Sequence, residues 1–196
     1  MIEYIKGEIA ELSPTQLIME CNGIGYELNI SITTYSAFNG CREGKIYVYE
    51  VIREDAHLLF GFATREEREL FLLLTSVSGV GPNTARMILS SLPPSELINI
   101  IASGDDASLT SVKGIGSKTA QRIVVDLRNK VRPIESMGEK SKSIPGGRSE
   151  TAEGAVAALI MLGFQKAASQ KAVDSILKNS PSASVEQVIK DALKML

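Results

Sequence analysis

TSVSGVGPNTARMI, residues 75–88, and TSVKGIGSKTAQRI, residues 110–123, are two copies of one stretch, 35 residues apart in this chain. Each copy is typical of a short helix, a Gly-apolar-Gly hairpin and a second helix that begins beneath the hairpin. A lone Gly-x-Gly before a helix is usually an ordinary turn. Because these copies also agree in the helix that follows, for example at Ala85 and Ala120, they favour a duplicated functional unit.

The hairpins are predicted to bind an anion through the backbone. The first N–H groups of a helix have no intrahelical partner and lie at the positive end of the helix dipole, so a phosphate gains hydrogen bonds and favourable charge there. Glycine permits a positive φ and close approach of a ligand, which suits Gly79, Gly81, Gly114 and Gly116. The anion that this arrangement suggests is a nucleic-acid phosphate.

The two copies differ in the side chains around their hairpins. Lys118 and Arg122 lie one turn apart on the second helix and can add cationic contacts. The first copy has Asn83 and Met87 at these positions, and its Arg86 lies on a different face. We therefore expect the first hairpin to depend more on its backbone.

Three further residues of the repeat have predicted structural roles. Val80 and Ile115, between the glycines, are expected to anchor each hairpin in the core between its two helices. Pro82 occupies the first helical position, where its missing N–H costs nothing.

Length and composition indicate a soluble, cytoplasmic protein without a metal or cofactor. A chain of 196 residues, 44% of them hydrophobic, can bury a core spread over two or three small domains. No apolar run approaches the ~20 residues that cross a bilayer, and the N-terminus does not resemble a signal peptide. Cys21 and Cys41 have neither CxxC spacing nor clustered histidines. Residues 116–119, GSKT, resemble the end of a P-loop, but Val112 and Ser117 stand where that motif requires glycine.

The charge is distributed unevenly along the chain. Residues 1–72 carry six Lys or Arg against twelve Asp or Glu, whereas residues 73–131 carry six against four. The acidic charge is thus concentrated away from the hairpins. Binding is expected to be local, and repulsion by the acidic segment can help to select the shape of the nucleic acid.

Residues 1–63 are predicted to form a small β-barrel. They contain short stretches rich in β-branched and aromatic residues, separated by turn signals such as Asn22-Gly23. Five short strands in about 60 residues suggest a barrel of the oligonucleotide-binding type, with a small SH3-like barrel as the alternative. The predicted strands are residues 2–9, 16–21, 25–30, 45–53 and 57–62.

Helices are predicted after the barrel, which gives an α+β chain of several domains. Residues 64–132 form the tandem helix-hairpin-helix domain, whose first helix begins with a capping box at Thr64 and Glu67. Residues 133–149 are polar and rich in Gly and Pro, which predicts a flexible linker. Residues 150–196 form a domain of three helices. A small domain attached by a flexible linker usually binds a partner. The first helix of the tandem helix-hairpin-helix domain carries an apolar stripe, which comprises Leu70, Phe71, Leu74 and Val77.

This order of domains resembles the RuvA family of Holliday-junction-binding subunits over nearly the whole chain. The resemblance implies an oligonucleotide-binding-fold barrel, a tandem helix-hairpin-helix domain and a three-helix domain like a ubiquitin-associated domain. The segments that carry it are the two hairpins and residues 23–27 (GIGYE), 51–56 (VIREDA), 59–62 (LFGF) and 157–164 (AALIMLGF).

In that family four subunits, sometimes eight, hold a four-way junction open as a square, and the hairpins of each subunit grip one arm. The family often has Lys where this chain has Asn83. By resemblance, the DNA phosphates contact both hairpins and the helices behind them, at Gly79, Val80, Gly81, Asn83, Thr84, Gly114, Ile115, Gly116, Lys118, Thr119 and Arg122.

The resemblance also gives a role to Arg53-Glu54-Asp55-Ala56, which matches the family's acidic pin. From the residues alone, Glu54 and Asp55 indicate a solvated turn between two strands. The resemblance implies that they gather at the centre of the tetramer, where carboxylates repel phosphates and keep the crossover open.

Partners of the three-helix domain follow from the same resemblance. In the family this domain docks RuvB, the ring ATPase that pumps DNA, and RuvC resolvase is expected as a further partner. Leu162, Phe164 and Leu193 match the apolar contact positions. The alternative is that Leu162 and Phe164 only close the core, since so small a domain needs most of its apolar side chains for itself.

Two other functions are weighed against a junction-binding subunit. A helix-hairpin-helix DNA repair enzyme would need a catalytic Asp or Lys in a cleft, but Asp126 lies within the second hairpin helix and His57 has no obvious partner. A plain duplex-DNA-binding repair scaffold fits the hairpins as well. We expect a non-catalytic subunit that binds a junction without sequence preference, because phosphates carry no base identity.

Overall fold

The computed structural model describes residues 1–139, 147–181 and 183–196. The chain divides into two units, Met1–Ser141 and Lys142–Leu196. None of the helices in the described ranges has the length and apolar character needed to cross a membrane.

Strands of the first unit close into a barrel in the order β1-β2-β3-β5-β4. Neighbouring strands are antiparallel except β3 and β5, which are parallel. The closed five-stranded barrel confirms the predicted oligonucleotide-binding type. The elements are β1 (Tyr4–Ser13), β2 (Gln16–Cys21), β3 (Ile24–Ile30), helix α1 (Ile32–Phe38), β4 (Glu43–Ile52) and β5 (His57–Phe62).

Side-chain alternation fills the barrel, and a tight turn fixes its second hairpin. Leu17 and Met19 of β2 are fully buried, as the two-residue period of a strand requires. Asn22 and Gly23 join β2 to β3 with φ values of +53° and +79°, the two positive values that a type I′ turn needs. The predicted hairpin is therefore confirmed.

Two elements of the barrel differ from the prediction. Strand β1 begins at Tyr4 and continues to Ser13, beyond the predicted end at residue 9. The prediction ended too early because a bulge between Ile9 and Glu11 interrupts the alternation on which it depended. Helix α1 was not predicted. Its start is capped by the hydroxyl of Ser31, which accepts a hydrogen bond of 3.0 Å from an N–H of the first turn.

The helical part of the first unit shares a core with the barrel. The ring of Phe71 lies 5.2 Å from that of Phe60 and 4.8 Å from that of Phe62. The predicted apolar stripe that contains Phe71 is buried in this core. The helices are α2 (Arg65–Thr75), α3 (Pro82–Ser91), α4 (Pro94–Ser103), α5 (Asp106–Thr110) and α6 (Ser117–Glu139).

Prolines stand at the start of α4 and within α6. Pro93 precedes α4 as its cap residue. Helix α6 continues through Pro133 to Glu139, although a proline removes one helical hydrogen bond and was expected to follow the helical layer. Residues 140–146 of the predicted linker lie outside the described residues, and the linker stays a prediction.

The second unit is the expected group of three helices, α7 (Gly147–Met161), α8 (Lys166–Asn179) and α9 (Val185–Ala192). Gly163 ends α7 with a φ of +99° and donates its N–H to Ile160 at 3.0 Å, while Phe164 donates to Leu159 at 3.1 Å. This pair of bonds is a Schellman motif, so the predicted glycine cap is confirmed.

A buried carboxylate, Glu67 of α2, joins the helical layer to the barrel. It accepts hydrogen bonds from the hydroxyl of Ser31, from that of Thr34 at 2.7 Å and from the N–H of Ala63 at 3.2 Å. Burial raises the pKa of Glu67 above its ordinary value of 4.5, against the lowering effect of these bonds. The folded chain therefore holds the proton of the Glu67 carboxyl more tightly than the unfolded chain does. Protonation of Glu67 stabilises the fold below pH 4.5, and this stabilisation is lost as the pH rises through the folded-state pKa.

Glu67→Ala should lower the free energy of unfolding by about 2–4 kcal/mol, because buried donors lose their acceptor at about 1–3 kcal/mol each. The loss should grow as the pH falls from 7 towards 4.5, where the wild type gains the proton-linked stability. Urea unfolding followed by circular dichroism measures both effects. Glu66→Ala, on the same helical turn, is the control and should cost less than about 1 kcal/mol. An equal loss in the two variants would contradict the role of Glu67.

Candidate nucleic-acid interface

The two hairpins repeat one hydrogen-bond pattern. The N–H of Val80 donates to the carbonyl of Val77, and the N–H of Ile115 donates to the carbonyl of Val112, both at 3.0 Å. Val80 and Ile115 are each 5% exposed and belong to the core that the helices share with the barrel. The duplication in the sequence is therefore a duplication in structure, with each hairpin anchored at its apolar residue.

The glycines of each hairpin have two different backbone states. Gly79 and Gly114 have φ values of +92° and +90°, which favour glycine. Gly81 has a φ of −84°, and Gly116 is likewise outside the positive region. A Cβ at Gly81 or Gly116 would meet no atom of the chain within 4 Å. The second glycine of each hairpin is thus not required by backbone strain or by internal packing, and it leaves open space in front of the helix.

The helix starts behind the hairpins carry amides without helical acceptors. In α3 the first helical bond is donated by Ala85 to Gly81 at 2.9 Å, and in α6 by Ala120 to Gly116 at 3.0 Å. The N–H groups before these alanines have no intrahelical partner. Pro82 has no N–H, so the first hairpin offers one amide fewer than the second.

Four of the predicted contact residues lie in these first turns. Asn83 and Lys118 are exposed, and Thr84 and Thr119 are half-buried. Their backbone N–H groups are among those without a helical acceptor. The structure therefore brings them together with the glycines.

Side chains at equivalent positions of the repeat reach across to the opposite hairpin. Arg122 of α6 donates from Nη1 to the carbonyl of Ser78 in the first hairpin, at 3.2 Å. Met87 of α3 packs towards the second hairpin, where its Cε lies 3.5 Å from the position of a Cβ on Gly114. This reciprocal bracing fixes the spacing of the two hairpins.

Three equivalent positions make the second hairpin more basic than the first. Lys113 was not singled out by sequence reasoning, although the alignment of the copies already set it opposite a serine. The three cations of the second copy are Lys113, Lys118 and Arg122. None of them lies within ion-pair range of a carboxylate among the side chains that the structure describes. The pairs are Ser78 and Lys113, Asn83 and Lys118, and Met87 and Arg122.

The loop that matches the acidic pin connects β4 to β5. The N–H of Arg53 donates to the carbonyl of Ala56 at 2.8 Å and closes the loop. Glu54 and Asp55 at its tip are exposed. Nothing in the described unit neutralises them by an ion pair.

The histidine and the cysteines have surroundings that the sequence did not indicate. His57 was expected to lack a partner, which is wrong, since its Nε2 lies 3.4 Å from a carboxylate oxygen of Glu50. The pKa of Glu50 is lowered chiefly by the hydrogen bond that its carboxylate accepts from the N–H of Ile2, and to a smaller extent by its hydrogen bond with His57. Cys21 is half-buried, whereas Cys41 is exposed. In the described ranges no group of three or more His, Cys, Asp or Glu could hold a metal ion.

The residues expected to contact a partner separate into two kinds in the second unit. Leu162 is 60% exposed and Leu193 is 43% exposed. Phe164 is half-buried and packs against the core of its three helices. Closing the core is therefore a role that fits Phe164 and does not fit Leu162.

Alanine at each glycine of the second hairpin should separate stability from binding. Gly114→Ala should lower the melting temperature, since an L residue at a φ of +90° is strained by about 1–2 kcal/mol. Gly116→Ala should leave the melting temperature unchanged and weaken DNA binding about tenfold, because its methyl group enters the space in front of the free amides. Calorimetry and gel shifts measure the two effects. Unchanged DNA affinity of Gly116→Ala would contradict phosphate binding at this helix start.

The chain matches known protein families along its length. Residues 1–61 match the model described as RuvA N terminal domain, residues 71–129 the SAM-like helix-hairpin-helix tandem, and residues 151–196 the RuvA C-terminal domain. A protein of Parabacteroides distasonis named Holliday junction branch migration complex subunit RuvA is 71% identical over 196 residues, all of both chains. Proteins of that name from Bacteroides fragilis and Porphyromonas gingivalis are 57% and 52% identical, each over the full length of both chains. With relatives this similar from end to end, the chain belongs to the RuvA family.

Proposed function

We propose that this chain is the subunit of a branch-migration complex that holds a four-way DNA junction open and recruits a RuvB ATPase ring. The pair of braced hairpins carries this proposal, because it sets two helix starts with free amides side by side behind exposed glycines. The relatives named as subunits of a Holliday junction branch migration complex support the same substrate.

Each subunit grips the backbone of one arm at two places. Phosphate oxygens accept hydrogen bonds from the free amides of α3 and α6, and Lys113, Lys118 and Arg122 add charge at the second hairpin. Backbone contacts carry no base identity, so binding is independent of sequence. Release of counterions makes it weaken steeply with salt.

The acidic loop supplies selection by repulsion. A carboxylate and a phosphate about 4 Å apart repel by about 1–4 kcal/mol for water-like to surface-like dielectrics. Glu54 and Asp55 are exposed and unpaired within the described unit, so this charge is available to DNA. Strands that would fold over one another at the crossover are pushed apart, and the open square form of the junction is favoured.

The working assembly is a tetramer in which each subunit holds one arm and the acidic loops meet at the centre. A second tetramer on the opposite face of the junction gives an octamer, and RuvC resolvase is a further partner. The subunit itself is non-catalytic and supplies DNA geometry, while the motor supplies the work of ATP hydrolysis.

The second unit is the docking module for the motor. Leu162 and Leu193 are large apolar side chains that remain exposed although this small unit has a core of its own. Exposed apolar side chains of this kind are suited to a protein interface. Phe164 contributes by packing against the core of the three helices, at whose ends these leucines lie.

A competition gel shift between a four-way junction and linear duplex of equal length tests the DNA-binding role. The wild type should prefer the junction, and Glu54→Gln/Asp55→Asn should reduce this preference while preserving or raising duplex affinity, because the repulsive charge is removed. Glu27→Gln, an exposed carboxylate on β3, is the control for a general change in charge and should leave the preference unchanged. Equal affinity of the wild type for both DNAs would favour the plain duplex-binding scaffold.

Motor docking is tested with alanine at each apolar position of the second unit. Leu162→Ala and Leu193→Ala should keep the helical circular dichroism signal and lose at least about tenfold in RuvB binding in a pull-down or calorimetric titration. Phe164→Ala should instead lower the melting temperature of this unit, because it removes a side chain packed on the core. Full RuvB binding by a Leu162→Ala/Leu193→Ala chain would exclude these leucines from the interface.

A further inference from the structure

The guanidinium of Arg86, on α3, turns away from the hairpins and towards the barrel. Its Nη1 donates to the carbonyl of Thr15 at 3.1 Å and to Oδ1 of Asn29 at 3.3 Å. Both acceptors are uncharged, and no carboxylate lies in ion-pair range of Arg86 among the described side chains. Burial accordingly lowers the pKa of Arg86. A partly desolvated charge without a counter-ion is costly, which indicates that these two directional bonds have a role beyond net stability.

Arg86 belongs to a polar seam between α3 and the barrel. The hydroxyl of Ser90 donates to the carbonyl of Arg86 at 2.8 Å and accepts the N–H of Ile32 at 3.2 Å. The hydroxyl of Thr33 donates to the carbonyl of Leu89 at 2.8 Å. Hydrogen bonds from several points along α3 fix the rotation of this helix about its own axis as well as its position.

The seam leads directly to the strand that follows the acidic loop. Nδ2 of Asn29 donates to the carbonyl of Leu59 on β5, at 3.2 Å. Strand β5 begins at His57, just after the loop that carries Glu54 and Asp55. At its other end the seam reaches α3, which begins at the first hairpin. Arg86 and Asn29 therefore form a short polar connection between the first phosphate grip and the acidic loop.

We propose that Arg86 is a positioning residue which, through Asn29, holds the first hairpin at a fixed place relative to the acidic loop and thereby sets junction selectivity. This inference rests on the proposed function. A linear duplex needs only the hairpins for binding, whereas a junction must meet the hairpins and the acidic loop together. A shift of one relative to the other consequently weakens junction binding and leaves duplex binding unchanged.

The first hairpin has the greater need of such a support. It has Asn83 where the second has Lys118, and Pro82 deprives it of one amide. Because the first hairpin has fewer attractive contacts to the DNA, its position on the DNA depends more on the polar seam that holds α3 against the barrel.

The test compares Arg86→Met, Asn29→Ala and the double variant with the wild type, in full-length chains. Junction and duplex dissociation constants are measured over a range of salt concentrations. Each single variant should lower the preference for the junction about three- to tenfold, and the double variant should lower it no further than the larger single effect, since both break one connection. The slope of log affinity against log salt should be unchanged. Arg86→Lys, which retains a donor, should recover part of the preference.

Two control variants separate positioning from other roles. Arg128→Met removes an arginine that donates from Nε to the carbonyl of Ala102 at 3.1 Å, within the helical layer, and should leave the preference unchanged. Lys118→Met removes a proposed phosphate contact and should weaken junction and duplex together, with a salt slope reduced by about one. A melting curve for each variant shows that it is folded.

The outcomes decide between the readings. A reduced salt slope and equal weakening on both DNAs for Arg86→Met would overturn the inference, because Arg86 would then contact phosphate directly. So would an unchanged preference, or additive effects of Arg86→Met and Asn29→Ala. If Arg86→Met does not fold, Asn29→Ala and Arg86→Lys still test the connection. A wild type without any preference for the junction would instead reject the proposed function.

Discussion

The burial of Val80 and Ile115 in one core is the constraint on which the binding surface depends. A glycine-rich hairpin has little order of its own, since glycine loses the most conformational freedom on folding. Burying each aliphatic side chain contributes about 1.5–3 kcal/mol, which offsets part of that loss and holds the hairpin tip in place. The amides of α3 and α6 are then oriented before DNA arrives, so binding does not have to supply the cost of ordering them.

The two copies have the same backbone geometry but different side chains around their hairpins. The hydrogen bonds of the hairpins coincide across the repeat, and so do the φ values of the first glycines. The side chains at equivalent positions do not, since Met87 braces by packing and Arg122 by a hydrogen bond. In the proposed function Arg122 combines two tasks, since its Nη1 holds the first hairpin and its exposed guanidinium retains donors for a phosphate. The more basic copy thus also steadies the less basic one.

Local patterns of the sequence predicted most of the fold, and the contacts between distant elements escaped it. Repeated glycines, the Asn22-Gly23 turn and the glycine cap at Gly163 are short-range signals with one geometric meaning each, and the structure confirms the last two by their positive φ values. Helix α1 was missed because its capping serine follows directly on a strand. The bulge in β1 was missed because it breaks the very period that reveals a strand.

The same limit applies to the candidate site. The glycines, Lys118 and Arg122 were predicted because the pattern that marks them lies within one copy of the repeat, whereas Lys113 was missed. The brace from Arg122 to Ser78 spans 44 positions of the chain, and the bond from Arg86 to Thr15 spans 71. No local pattern marks either one, since an arginine that binds a distant carbonyl looks in the sequence like any exposed arginine.

These long-range bonds bear on how an acidic protein can select a DNA shape. If barrel and hairpins moved independently, the net repulsion of the barrel would oppose any DNA, junction or duplex alike. Selection requires that attraction and repulsion act at fixed places relative to each other. The barrel and the helical layer meet this requirement, because they share the core around Phe71, the buried carboxylate of Glu67 and the polar seam of α3. In the proposed function, repulsion from Glu54 and Asp55 then acts where four strands converge, and the acidic charge that would weaken a simple DNA-binding protein supplies the selectivity for the junction.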